Sequence, residues 1–110
     1  MKSKEITPFE ATHPGTVLLD ELAAREISQK DFANQIAVSP TYLNEVIKGK
    51  RSISVDFALL LEKSLGIDAD YWMRFQTQYD IDQARLKAKN VERLARITTK
   101  KTKRFKGTNV

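Results

Sequence analysis

The sequence predicts an all-α chain: five helices forming one small domain, then a helical C-terminal extension and a basic tail. Three observations carry this. Apolar residues recur three and four positions apart, and no segment shows the alternation of a strand. Hydroxyl, acidic and proline start signals alternate with glycine stops at short intervals. The 110 residues are 41% hydrophobic and 30% charged, a globular composition long enough for one real core.

The elements follow in order. Residues 1–12 lack periodicity, include Pro8 and read as a loosely held arm. Pro14 suits a first helical position, where its missing N–H would be unpaired anyway. His13 precedes it as a helix-entry residue, and Val17, Leu18, Leu22 and Ala23 form one apolar face to about Glu26. Ser28 with Asp31 resembles a capping box opening a helix over about 29–36, with Phe32, Ala33 and Ile36 inward. Ala37 and Val38 make a tight turn. Ser39-Pro40 starts the next helix, whose Leu43, Val46 and Ile47 face inward until Gly49. Ser54 caps a fourth helix carrying Ala58, Leu61 and Leu65, stopped by Gly66. Asp68 caps a fifth, with Trp72, Phe75 and Tyr79 on one face. Beyond it Ile81, Ala84, Ala88, Val91 and Ala95 recur at 3-4-3-4 spacing, a short heptad-like stripe for a second chain or for the domain itself. After Thr98 like charges crowd and one aromatic remains, so 99–110 reads as a disordered basic tail. The domain thus spans 13–82 and the extension 83–98.

Composition removes several function classes. Cysteine is absent, so disulfides, thiol nucleophiles and Cys-containing zinc sites are out, and His13 is the sole histidine. No glycine-rich phosphate loop is present. The acidic pairs Asp68/Asp70 and Asp80/Asp82 are two apart, a spacing that does not face on a helix. No catalytic residue, metal site or cofactor is expected. The longest apolar run, Phe57 to Leu61, is too short for a membrane, and no signal peptide is visible, so the expected location is the cytoplasm. Charge is uneven. Residues 85–106 hold ten basic side chains against Glu92 alone, a net +9, so the rest of the chain is net −4 within the formal total of +5. Net charge therefore does not argue for nucleic-acid binding by residues 1–84; a motif must.

Residues 28–49 supply it. Two short helices joined by a three-residue turn, the second opening on a hydroxyl cap, have the spacing of a helix-turn-helix. Ala33 is the small residue such a crossing needs. Phe32, Ile36, Val38, Leu43 and Val46 lock the angle, leaving Thr41, Tyr42, Asn44, Glu45 and Lys48 pointing outward. Thr41 and Asn44 are the best base readers, a methyl-bearing hydroxyl for thymine and an amide for adenine, although Asn44 can also bond locally. Tyr42 contacts sugar or a methyl, or is half-buried core. Glu45 accepts from cytosine or is a solvated acid. Gln29 at a helix start, Ser39 at a cap, and Lys48, Lys50 and Arg51 after the second helix are candidates for phosphate.

The pattern Gln29-x-x-Phe32-Ala33-x-x-x-Ala37-Val38-Ser39-x-x-x-Leu43-x-x-x-Ile47-x-Gly49 resembles the Cro/lambda-repressor (XRE) helix-turn-helix family. Three further blocks resemble the HigA/VapI plasmid-maintenance antitoxins: Thr12-His13-Pro14-Gly15-x-x-Leu18, Asn44-Glu45-x-x-x-Gly49-Lys50-Arg51-x-Ile53, and Leu65-Gly66-x-x-x-x-Tyr71-Trp72-x-x-x-Gln76-x-x-Tyr79-Asp80. The likeness covers roughly residues 12–82. It implies a five-helix lambda-repressor-like domain that acts as a homodimer on palindromic operators of double-stranded DNA. It also implies repression of its own operon and neutralisation of a HigB/RelE-like ribonuclease toxin, with no membrane partner. The alternative is a stand-alone repressor of the same fold without a toxin. One departure stands out: Ala37 occupies a turn position where the family usually has glycine, at a cost of roughly 1 kcal/mol if a positive φ is kept.

Overall fold

The computed structural model describes residues 12–99. The expected arm, apart from Thr12, and the expected tail, apart from Thr99, lie outside the described residues. Within them there are six helices and no strand: α1 Pro14–Ala24, α2 Gln29–Gln35, α3 Pro40–Ile47, α4 Val55–Leu65, α5 Ala69–Leu86 and α6 Ala88–Ala95. The all-α expectation and the five-helix order are therefore met. None of these helices is long and apolar enough to cross a membrane.

The caps explain the boundaries. Ser28, Ser39 and Ser54 each turn their hydroxyl oxygen back to accept from the third N–H of the helix that follows, at 3.0, 3.0 and 3.1 Å. Three successive helices then stop in the same way. In each, a residue with positive φ follows the cap, and two N–H groups reach back to the last turn. The residues are Glu26 (φ 58°), Ala37 (φ 59°) and Gly49 (φ 78°). Their closures are Ile27 N–H to the Leu22 oxygen, Val38 to Ala33 and Lys50 to Glu45, at 2.9, 3.0 and 2.9 Å. Ala37 thus keeps the left-handed turn that glycine usually makes, and the departure noted above leaves the turn's geometry intact. Glu26 ends α1 two residues earlier than its apolar face suggested.

Two expectations need correction. Asp68 sits at the N-cap position of α5, yet its side chain makes no capping bond. Glu62, near the end of α4, does so instead, accepting from Ala69 N–H at 2.7 Å across the Gly66 turn. The stripe from Ile81 to Ala95 does not lie on one helix. Lys87 is extended, with φ −63° and ψ 131°, and separates α5 from α6. The Asn90 amide donates to the Ala84 carbonyl at 2.7 Å, taking the acceptor that a continuing helix would use. Helix α6 consequently leaves the direction of α5, and all of its residues except Asn90 are exposed.

One core joins α1 to α5. Leu18, Leu22, Phe32, Ala33, Leu43, Val46, Ile53, Phe57, Ala58, Leu61 and Trp72 are all at most 2% exposed. Each large side chain among them contributes about 1.5–3 kcal/mol by leaving water. At the far end, Arg25 donates to the Leu65 carbonyl at 2.8 Å and ties the end of α1 to the end of α4.

Candidate nucleic-acid interface

What α3 presents depends on how firmly it is held, and four contacts hold it. Ala33 is fully buried where α2 and α3 pack, so the two backbones approach closely. Gly15 does the same between α1 and the last turn of α3. A Cβ there would collide with the Val46 carbonyl oxygen and lie 2.8 Å from the Ile47 oxygen. The first turn of α1 is itself fixed by His13, whose Nδ1 accepts from Gly15 N–H at 2.8 Å. Its ring lies within 3.6 Å of where a Gly49 Cβ would be and meets the Tyr79 ring edge-on at 4.7 Å. Burial holds the His13 pKa below the usual histidine value, opposed by the nearby Asp80 carboxylate. The neutral ring is also the form that can accept at Nδ1.

The fourth contact is Gln76 on α5, buried to 3% exposure. Its Oε1 accepts from Ile53 N–H at 2.7 Å, and its Nε2 donates to Asp80 at 2.9 Å. This pins the segment between α3 and α4 against α5. His13, Gly15 and Gln76 all fall within the quoted motif blocks; His13 is the helix-entry residue expected, at the N-cap of α1, whereas no role followed from the residue types of Gly15 and Gln76. For those two, only membership of the family-like blocks marked them.

On that mount α3 shows its outer face. Thr41 and Lys48 are exposed, and Asn44 and Glu45 are half-buried. Thr41, Glu45 and Lys48 share one side, at i, i+4 and i+7. Ser39 is exposed, with its hydroxyl engaged in the cap. Lys50 is exposed just beyond the Gly49 turn. Gln29 is the first residue of α2 and half-exposed, with Asp31 in the same helical turn. Tyr42 is half-buried and meets the Phe57 ring edge-on at 5.4 Å.

Arg51 does not extend away from the domain. Its Nε and Nη2 both donate to Glu45 Oε1, at 3.0 and 2.7 Å. Its guanidinium carbon lies 4.7 Å from the centre of the Tyr42 ring. Glu45 and Arg51 were singled out separately, as a base acceptor and a phosphate cation. The structure brings them together as one unit on the face of α3. An exposed ion pair contributes at most about 1 kcal/mol to stability. Its consequence here is where it holds the arginine.

Comparison with known proteins agrees with this architecture. A family model described as Helix-turn-helix matches residues 18–72, half of the chain. Virulence-associated protein I of Dichelobacter nodosus is 33% identical over 90 residues, spanning 81% of this chain and 83% of that protein. A HigA-family addiction module antidote protein from Coxiella burnetii superposes with a TM-score of 0.73 at 29% identity, covering 84% of this chain and 99% of that one. The Pseudomonas aeruginosa antitoxin HigA, solved with the higBA promoter, gives 0.73 at 31% identity over 81% of this chain and 97% of its own.

Proposed function

The chain belongs to the helix-turn-helix family, in its HigA/VapI-like branch, and from that premise we propose that it is the antitoxin of a type II toxin–antitoxin pair. In this role it binds a palindromic operator as a homodimer, represses its own operon and neutralises a HigB/RelE-like ribonuclease. The observation that carries the reading is the outer face of α3, which displays Thr41, Asn44 and Glu45 between helix caps and the cations Lys48 and Lys50. Thr41 and Asn44 supply the methyl and amide that distinguish thymine and adenine in a major groove. Gln29, Ser39, Lys48 and Lys50 face phosphates and set the register. One such helix reads a few base pairs, so useful specificity needs two copies, spaced by a whole turn of DNA. The solved promoter complex of the P. aeruginosa relative supports the DNA half of this reading. Protein partners are assigned to the extension, where Val91, Leu94 and Ile97 are each more than half exposed.

The test has two arms. Footprinting on the DNA upstream of the chain's own gene should protect two half-sites about 10 base pairs apart, with light scattering giving a dimer. Co-expression with the adjacent reading frame should yield a stable complex and relieve that product's toxicity. Protection without any such complex leaves the stand-alone repressor. No protection at all contradicts both readings.

A further inference from the structure

We propose that Arg51 is a base-reading residue that selects guanine, held for that task by Glu45 and Tyr42. The proposal rests on α3 being the DNA-facing helix. Glu45 lies on the outer face of that helix, one turn beyond Thr41. A bare carboxylate there would meet phosphates and the acceptor-rich edges of guanine, adenine and thymine, and only cytosine offers it a donor free of a neighbouring acceptor. Arg51 reverses that chemistry. The Gly49 turn carries the chain back over α3, with Lys50 N–H bonded to the Glu45 carbonyl at 2.9 Å. Arg51 then lands on the Glu45 side chain.

The way the two side chains meet decides what remains available. Glu45 Oε1 accepts from Nε and Nη2, which form the lateral edge of the guanidinium. The adjoining end edge, made by Nη1 and the second hydrogen of Nη2, is left with parallel donors. Parallel donors at that spacing match O6 and N7 of guanine in the major groove. Tyr42 supports the cation at 4.7 Å, and Phe57 in turn braces Tyr42. The arginine is thus ordered before DNA arrives, which lowers the entropy lost on binding. A phosphate contact needs no such support. Lys48 and Lys50 carry no ion pair among the described residues and suit that task.

The test uses the full-length chain. A randomised duplex pool is selected with the wild-type protein, and the enriched duplex becomes the probe. Arg51→Lys keeps the charge and loses the fork. It should bind random duplex like wild type, yet bind the enriched duplex about ten- to a hundredfold more weakly. The loss should map to one guanine per half-site. Replacing that guanine by adenine should cost the wild type a similar factor and the variant almost nothing. Glu45→Gln should weaken the preference at the same base pair. Arg51 and Glu45 are surface residues, so circular dichroism should show both variants folded. Selectivity at every position retained by Arg51→Lys would overturn the proposal, as would Arg51→Ala weakening enriched and random duplex by one common factor. Glu45→Gln changing a different base pair would do the same. A wild-type chain that enriches no sequence refutes the DNA-reading role itself, and the proposal with it; enrichment that Arg51→Lys preserves refutes the proposal alone.

Discussion

Replacing Ala37 by glycine should stabilise the chain, although it removes a side-chain carbon. Ala37 has φ 59° at the residue that closes α2. The left-handed region costs an L-residue roughly 1–2 kcal/mol, from which glycine is exempt. Glycine brings an opposing cost, because its unfolded chain is freer by about 0.4–1 kcal/mol. The Ala37 methyl is exposed and its N–H already bonds the Asn34 carbonyl at 3.2 Å, so no packing or hydrogen bond offsets the gain. The net is a stabilisation of about 0.5–1 kcal/mol, or about 2–8 °C in Tm for a domain of this size. Gly49→Ala is the reciprocal case. Its φ is 78°, and a Cβ there would meet the His13 ring at an ordinary 3.6 Å, so strain without collision should cost about the same amount. Thermal and urea unfolding of both variants gives the comparison. Ala37→Gly that is neutral or destabilising, beside a destabilising Gly49→Ala, would refute the argument from backbone strain. Random-duplex affinity of folded Ala37→Gly should be unchanged, since the turn already has its final geometry.

Other expectations follow from the contacts that mount α3. Gly15→Ala forces the first turn of α1 away from the Val46 and Ile47 carbonyls; it should cost about 1–3 kcal/mol by urea unfolding and weaken DNA binding even where the chain is folded. Gln76→Leu leaves the Ile53 N–H buried without an acceptor and should lower stability by about 1–3 kcal/mol. His13 has a folded pKa below its unfolded 6.5, so the unfolded chain takes up the proton first. Stability from this residue is full above about pH 6.5 and is lost as pH falls from there through the folded pKa. Urea midpoints between pH 7.5 and 5.5 should show that decline, and His13→Asn, which can still cap α1, should flatten it. Truncation after Thr98 removes five cations and should reduce the slope of log K against log salt by roughly 1–3 per chain, leaving sequence preference unchanged.

How much of this was legible in the sequence depended on the range of the interaction. The serine caps at 28, 39 and 54 act across three residues, and residue type at fixed offset identified them. The apolar spacing located most of the core from α1 to α5, down to Trp72, but it also put Ala23 inward, where the structure has it exposed, and it left out the buried Phe57. Interactions that cross the fold were not legible. Gln76 meets Ile53 across 23 residues, and Glu62 displaces Asp68 as the cap of α5 by reaching over a turn. The α5–α6 break carries neither glycine nor proline; it is made by Asn90 bonding back to Ala84. Glutamate in the left-handed region at Glu26 hid the end of α1, because residue type there points the other way. In the site itself, the outward residues of α3 followed from periodicity. The clamp of Arg51 on Glu45 did not, since it depends on the direction in which the Gly49 turn returns the chain.

The central claim is that α3 reads bases while Lys48 and Lys50 beside it grip phosphate. Its most direct measurement is the ratio of affinities for the chain's selected duplex and for random duplex, compared between Thr41→Ala, Asn44→Ala and Lys50→Ala at one salt concentration. Thr41→Ala and Asn44→Ala should lower that ratio by about 1–3 kcal/mol in free-energy terms, with random-duplex affinity close to wild type. Lys50→Ala should weaken both duplexes alike and leave the ratio unchanged. If Thr41→Ala and Asn44→Ala both leave the ratio intact, this face of α3 is not what reads the DNA.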